Sequence, residues 1–234
     1  LDAGGYLFTN TNVVGITRQR SFVIIKALAQ NGQHLSFKVD HVIMASRATD
    51  VVHLIEDIGP REKAIFSQFI QQRFRVCIHT DVSLMPQDHE HWGNSNYVVP
   101  RPGVALPKPT LTIYPRKLLN QIGLTENLLI SINPSQEPKP ETVLSDQYFN
   151  YPVPNDHDET LAFKVQDIQG TKRTWHCGSY LHAPFLHEQG FISGIKAATE
   201  ILAHEERQTK ILGSMYKQND DTGGDIEDED IEPK

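Results

Sequence analysis

The spacing of apolar positions changes along this chain, and each change marks an element. Asn12–Ile16 and Ser21–Ile25 are short runs rich in β-branched residues, the composition of strands. Asn31-Gly32 is a hairpin signal, and His34–Val39 alternates polar and apolar as a strand with one covered face must. Asp40–Ser46 instead carries the unbroken apolar run Val42–Ala45, the mark of a strand covered on both faces. Residues 10–46 therefore read as a three-stranded meander feeding a buried strand. The period then lengthens. Residues 47–56 and 61–73 read as amphipathic helices parted at Gly59-Pro60, with Ile65, Phe66, Phe69 and Ile70 on the apolar face of the second.

From about residue 74 to 160 the texture is different. Arg75–Thr80 reads as a strand with a polar end, closed by Leu84-Met85-Pro86. Residues 96–107 are proline-rich and aperiodic, an irregular connection. Thr110–Tyr114 and Asn127–Ile132 resume order around a helix at 116–121, and Pro134, Pro138 and Pro140 mark another loop. Leu161–Val165 and Thr174–Cys177 read as strands. Residues 190–216 read as one long helix, with Ile192, Ile195, Ala198, Ile201 and Leu202 at helical spacing.

Composition narrows the class. With 234 residues, 38% of them hydrophobic, the chain is ordinary for one or two globular domains. It has no apolar run of the roughly 18–20 residues a bilayer crossing needs, and no signal peptide is visible within it. The formal charge of −7 is local: residues 218–234 hold eight acids against one lysine, which leaves the remainder close to neutral. That tail buries too little to fold and is expected to be disordered, a solvating or interacting appendage. The neutral body has no basic stripe with aromatics, which argues against nucleic acid. Cys77 and Cys177 sit in separate apolar runs and read as free buried thiols, in keeping with a reducing, cytoplasmic setting. The chain opens on Leu1 and enters strand-like residues at once, so it reads as a piece of a longer polypeptide.

The most informative stretch is 175–198. A short apolar run ends in Gly178-Ser179, a loop with Pro184 follows, and a helix opens around Glu188–Gly190 with Ser193, Gly194, Ala197 and Ala198 as small residues. Strand, glycine turn and helix start bring backbone N–H groups up to a flat or anionic ligand. Capping and packing explain the same residues without one, Glu188 serving as a first-turn acid.

Several segments occur in a recognisable order: Asp40–Ala45, His79-Thr80-Asp81 with Leu84-Met85-Pro86, Trp92 with Asn96-Tyr97, Leu129–Pro134, and Trp175–Ser179 with His187–Gly190 and Ser193-Gly194. Over about residues 10–204 they resemble the C-terminal part of the flavin-containing amine-oxidase superfamily, most closely its predicted NAD/FAD-binding oxidoreductases. The resemblance implies an α/β fold: an FAD/NAD(P)-binding, Rossmann-like domain lacking its N-terminal half, with an inserted α+β substrate-type domain. Residues 1–50 would be the meander and strand of the FAD domain and 51–160 the substrate-type region. Residues 161–217 would return to the FAD domain as strand, loop and helix, and 218–234 form the tail. The implied cofactor is FAD, with Val13, Gly178, Ser179, Glu188, Gln189, Gly190 and Phe191 as contacts. Gly178 would admit the backbone to the ribityl chain or phosphate, and Ser179 would offer a hydroxyl. Amides near Gln189–Phe191 would stabilise charge on the reduced ring, while Val13 would either meet the adenine or serve as an ordinary meander residue. The family's Gly-x-Gly-x-x-Gly turn, which holds the pyrophosphate, has no counterpart here; the partner implied is the missing half that bears it.

The implied function is hydride transfer from a small organic substrate to flavin, with no assigned acid–base residue. Phe74, Trp92, Tyr97, Tyr114, Phe149 and Tyr151 would wall an apolar or lipid-like substrate. The alternative is a degenerate, non-catalytic relative acting as an interaction protein. Asp88-His89-Glu90-His91 is the strongest candidate for a metal, but alternating loop neighbours rarely converge on one ion, and no metal site is expected. His79 and Asp81 could face substrate or simply meet a loop amide; His182 and His187 could line the pocket or merely flank it.

Overall fold

The computed structural model describes residues 4–99, 109–118, 127–153, 158–182 and 185–220. The chain divides into two compact units, one of Leu1–Ile70 with Pro154–Lys234 and the other of Gln71–Val153.

The first unit opens with β1 (Thr11–Arg18), β2 (Val23–Ala29) and β3 (His34–Val39), an antiparallel sheet in sequence order. A bulge between Val13 and Gly15 bends β1. At Gly15 a Cβ would lie 2.6 Å from Oε1 of Glu56, so a larger residue would push that exposed carboxylate aside. β4 (Val42–Met44) follows, then α1 (Ala48–Leu54) and α2 (Pro60–Phe66), the latter begun by Pro60 at its first position and a Glu62 carboxylate that accepts the Gly59 N–H at 2.9 Å.

Ile16, Val23, Val42, Val51, Ile55, Ile65 and Phe66 form the core of this unit together with Val165 and Ile168. Within it Arg18 is fully enclosed. Its Nη1 and Nη2 donate to Glu62 at 2.5 and 2.8 Å, and its Nε to Asp57 at 3.1 Å. Burial alone would raise the Glu62 carboxyl, but bonds from Arg18 and the Gly59 N–H, with the guanidinium charge, hold it below its ordinary range.

The second unit is a five-stranded antiparallel sheet in the order β6-β7-β8-β5-β9: β5 (Gln71–His79), β6 (Ser95–Val98), β7 (Thr110–Ile113), β8 (Leu129–Ile132) and β9 (Val143–Pro152), with the short α3 (Pro115–Leu118) after β7. Cys77 stands opposite Ser131 and Thr112 opposite Ser131, so alternation puts Cys77, His79, Thr110, Thr112, Leu129 and Ser131 on one face, all of them buried. Met85 and Trp92 pack on Leu129 from the loop after β5. The other face is apolar yet open: Phe74 pairs with Phe149, and Tyr97, Phe149 and Tyr151 are all more than 45% exposed (67, 51 and 48%).

The chain then returns to the first unit as α4 (Asp158–Gln166), β10 (Thr174–His176), which pairs in parallel with β4, and α5 (His187–Asp220). Leu161–Val165 is helical rather than a strand. Leu161 and Val165, four apart, are buried while Phe163 between them is 73% exposed, a helical pattern hidden in a short apolar run. The second helix stops at Phe66 instead of 73, because Gln71–Arg73 pair across to Asn150–Pro152. Helices α1 and α2 pack in the first unit, whereas the sequence placed residues 51–70 with the middle region. Strands β6 and β9 fall where no strand was expected, Ser95–Val98 and Val143–Pro152 being mostly exposed and polar-interrupted. Of the expected tail, 218–220 continue α5 and 221–234 lie outside the described residues, as do Pro184, 100–107 and 119–121.

Candidate functional site

Strand β10 ends on a glycine turn that is clamped to the start of α5. Gly178 has φ +150°, a region L side chains avoid, and a Cβ there would lie 2.6 Å from the Tyr180 ring. The Gly178 N–H donates to Ser193 Oγ at 2.9 Å, and that hydroxyl donates to the Gly190 carbonyl at 2.7 Å. One serine thus ties the turn to the first turn of the helix. Gly190 packs close to Ser179, a Cβ at 190 lying 3.7 Å from the Ser179 nitrogen.

This geometry divides the residues read from sequence. The Gly178 amide is consumed by Ser193, so the turn offers shape more than a free donor. The Gly190 N–H already closes on the Leu186 carbonyl at 3.3 Å. The amides without an intrahelical partner are those of His187, Glu188 and Gln189, two residues earlier than Gln189–Phe191 and sharing Gln189 with it. Glu188 is exposed in the first turn, and the Gln189 Oε1 is buried without a hydrogen-bond partner. Phe191 is 59% exposed and joins Gly190, Gly194, Ile195 and Ala198 in a shallow groove along α5. Val13 lies on a different sheet, opposite Ala27 in the meander.

The remaining candidates have structural partners. His79 is wholly buried, its Nε2 bonded to Ser131 Oγ at 2.8 Å and its Nδ1 accepting the Asp81 N–H at 3.2 Å; burial lowers its pKa. Asp81 accepts the amides of Ser83 and Lys139, which hold it low against the opposing effect of burial. Both are occupied by the fold. Asp88 caps a short 3-10 turn through the Glu90 N–H, and His89 stacks on Trp92 at 4.1 Å. Among the described residues no three His, Cys, Asp or Glu side chains converge as a metal site would need. Cys77 and Cys177 are free and buried, and burial pushes both thiols up. Among the described residues no helix is long and apolar enough to cross a membrane.

In the second unit, the open apolar face holds a cavity of about 480 Å³ among Phe74, Tyr97, Leu111, Ile132, Phe149 and Tyr151. Four of these are among the six aromatic residues expected to wall a substrate; the other two, Trp92 and Tyr114, instead pack on each other, with Met85 and Leu129. Sequence reasoning missed Ser193 as a clamp, although its spacing of three from Gly190 is the signal for a helical side chain bonding back to its own backbone.

No family model matches the chain, and no curated protein matches it. Solved structures do. Cyclohexylamine oxidase from Brevibacterium oxydans IH-35A is 12% identical with a TM-score of 0.52, the match covering 83% of this chain and 48% of that one. A CLA-producing fatty acid isomerase from P. acnes is 17% identical with a TM-score of 0.49, over 72% of this chain and 42% of that one. The chain therefore has a mixed α/β fold of distant amine-oxidase type. It spans less than half the length of these two structures.

Proposed function

We propose that this chain forms the C-terminal half of an FAD-dependent oxidoreductase of the amine-oxidase type. The observation that carries the reading is the glycine turn of β10 bound through Ser193 to a helix start whose first amides have no intrahelical partner. The fit to the cofactor is one-sided. Gly178 leaves a cradle that a Cβ would fill, and α5 presents the positive end of its dipole beside it. The pyrophosphate holder, a glycine-rich turn, is not among the residues of this chain, so the reading needs a second half that supplies it.

FAD, when bound, supplies the hydride acceptor. His187, Glu188 and Gln189 would direct their amides at the electron-rich rim of the ring system, and Ser179 would bond the ribityl chain. Ser193 acts through Gly178 and Gly190 by holding the two in register. Phe74, Tyr97, Phe149 and Tyr151 would receive an apolar or lipid-like substrate and exclude water from it. No side chain is assigned a proton-transfer role. The second reading is a relative that has lost the cofactor and acts as an interaction protein; the consumption of the Gly178 amide by Ser193 favours it.

Purification of the full product of the gene separates them. A visible flavin band, or one gained on adding FAD, is the expected result. A colourless protein that ignores FAD would leave the interaction protein.

A further inference from the structure

Strand β9 is the last strand of its sheet, and on its outer side it meets no other strand among the described residues. It runs for ten residues, against four in β6 at the opposite edge. An open edge of that length presents a row of N–H and C=O groups to another chain, and proteins blunt such edges with lysine, proline, a bulge or a short strand. β9 keeps a regular register with β5 from Ser145 onward, the shift lying opposite Ile78 and His79. Between Ser145 and Asn150 it has no lysine and no proline, and Asp146, Gln147, Tyr148 and Phe149 are all exposed.

The charges beside this edge define what fits it. Arg75, the neighbour of Tyr148 across the sheet, donates to Asp146 at 2.9 and 2.7 Å and to Glu137 at 2.6 and 2.8 Å. Two acids share one cation, so a negative charge is left over at Asp146. Arg73 lies over the Tyr148 ring, 4.1 Å from its centroid, and has no carboxylate partner among the described residues. A surplus acid and a surplus base thus stand side by side along one edge. A second copy of that edge, turned end for end, presents them in the reverse order, which is the complement a two-fold axis supplies.

The same charges select the register. Antiparallel strands related by a two-fold axis keep opposed side chains on one face only when the axis falls on a residue. With the axis on Asp146, two carboxylates meet; with it on Tyr148, two Arg73 guanidinium groups meet. With it on Gln147, Asp146 of each copy stands opposite Tyr148 of the other, beside the Arg73 that covers that ring, and Ser145 stands opposite Phe149. Like charges directly opposite one another are unfavourable across a strand pair, and only the third arrangement avoids them.

We propose that two copies of this protein pair antiparallel through β9 about an axis at Gln147, joining their five-stranded sheets into one of ten strands. The interface lies wholly on the second unit and does not depend on the flavin reading.

Sedimentation equilibrium of the full product of the gene, beside its Gln147→Lys and Gln147→Glu variants with folding of each verified, tests this. The native protein is expected to be a dimer. Each variant brings two like charges face to face at the axis and should dimerise at least about tenfold more weakly. An equal mixture of the two variants puts lysine against glutamate and should recover the dimer, which neither variant forms alone. A native protein that stays monomeric at about 100 μM would overturn the proposal. So would dimers of unchanged strength in both variants, or a mixture that associates no better than its components, since either would place any contact between copies away from Gln147.

Discussion

The two units bury polarity in different settings. In the second unit a row of hydroxyls and an imidazole lies on the covered face of the sheet: His79 bonds Ser131, and Ser131 bonds Thr112 at 2.8 Å, while aromatic residues stand on the open face. In the first unit an ion pair is sunk in an aliphatic core, Arg18 held by both Glu62 and Asp57. The lesson common to both is completeness. Each buried donor in these clusters meets an acceptor, and low dielectric surroundings make a completed network rigid and a broken one expensive. Elsewhere in the first unit that rule is broken: the His176 ring nitrogens, the Tyr180 hydroxyl, Gln189 Oε1 and Glu200 Oε2 are buried without partners.

The comparison can be broken first at the ion pair. Arg18→Met leaves Glu62 as a buried carboxylate without its cation, while the partly exposed Asp57 keeps Lys172 at 2.8 Å, and should cost about 3–5 kcal/mol of unfolding free energy in urea. A loss below about 1 kcal/mol would mean that the cluster relaxes into water and is not a closed network.

The second break is by pH. The His176 pKa is lowered from 6.5 to about 4, chiefly by burial, with Glu62 opposing and the Arg18 charge adding a smaller lowering. Above pH 6.5 the ring is neutral whether the chain is folded or not. Between 6.5 and 4 the unfolded chain takes up a proton that the folded one refuses, so stability falls as pH falls, by on the order of 3 kcal/mol in all. Comparing native chain and His176→Phe across that range isolates the effect. Parallel curves would show that the ring reaches solvent.

The smallest effect belongs to the second unit. Ser131→Ala strips a partner from both His79 and Thr112 and should cost about 1–3 kcal/mol. If it costs nothing, the hydroxyl row is not what holds the covered face.

How much of this was legible depended on local regularity. The meander and β4 announce themselves through β-branched runs and the Asn31-Gly32 turn, and α5 through a long apolar period. β9 did not, because Ser145, Asp146, Gln147 and Asn150 interrupt it and most of it is exposed; only its pairing with β5 makes it a strand. α4 was misread because five residues, Leu-Ala-Phe-Lys-Val, fit either period. At the site, the glycine turn and helix start were readable from Trp175–Gly190, but the N–H groups that a ligand could use begin two residues earlier than expected, since capping geometry fixes that and spacing does not. The partnerless ring of His176 has no sequence signal at all. Strand alternation only places it opposite in facing to Cys177.

The central claim is that the Gly178 turn and the start of α5 hold one rim of a flavin. The direct measurement is FAD affinity of the gene's full product beside its Gly178→Val variant, with folding of both verified. The account predicts that the native protein binds FAD, and that the variant, whose side chain must enter both a disfavoured backbone region and the space of the Tyr180 ring, binds it roughly tenfold more weakly or not at all. Equal affinity in the two, or no affinity in either, would contradict it.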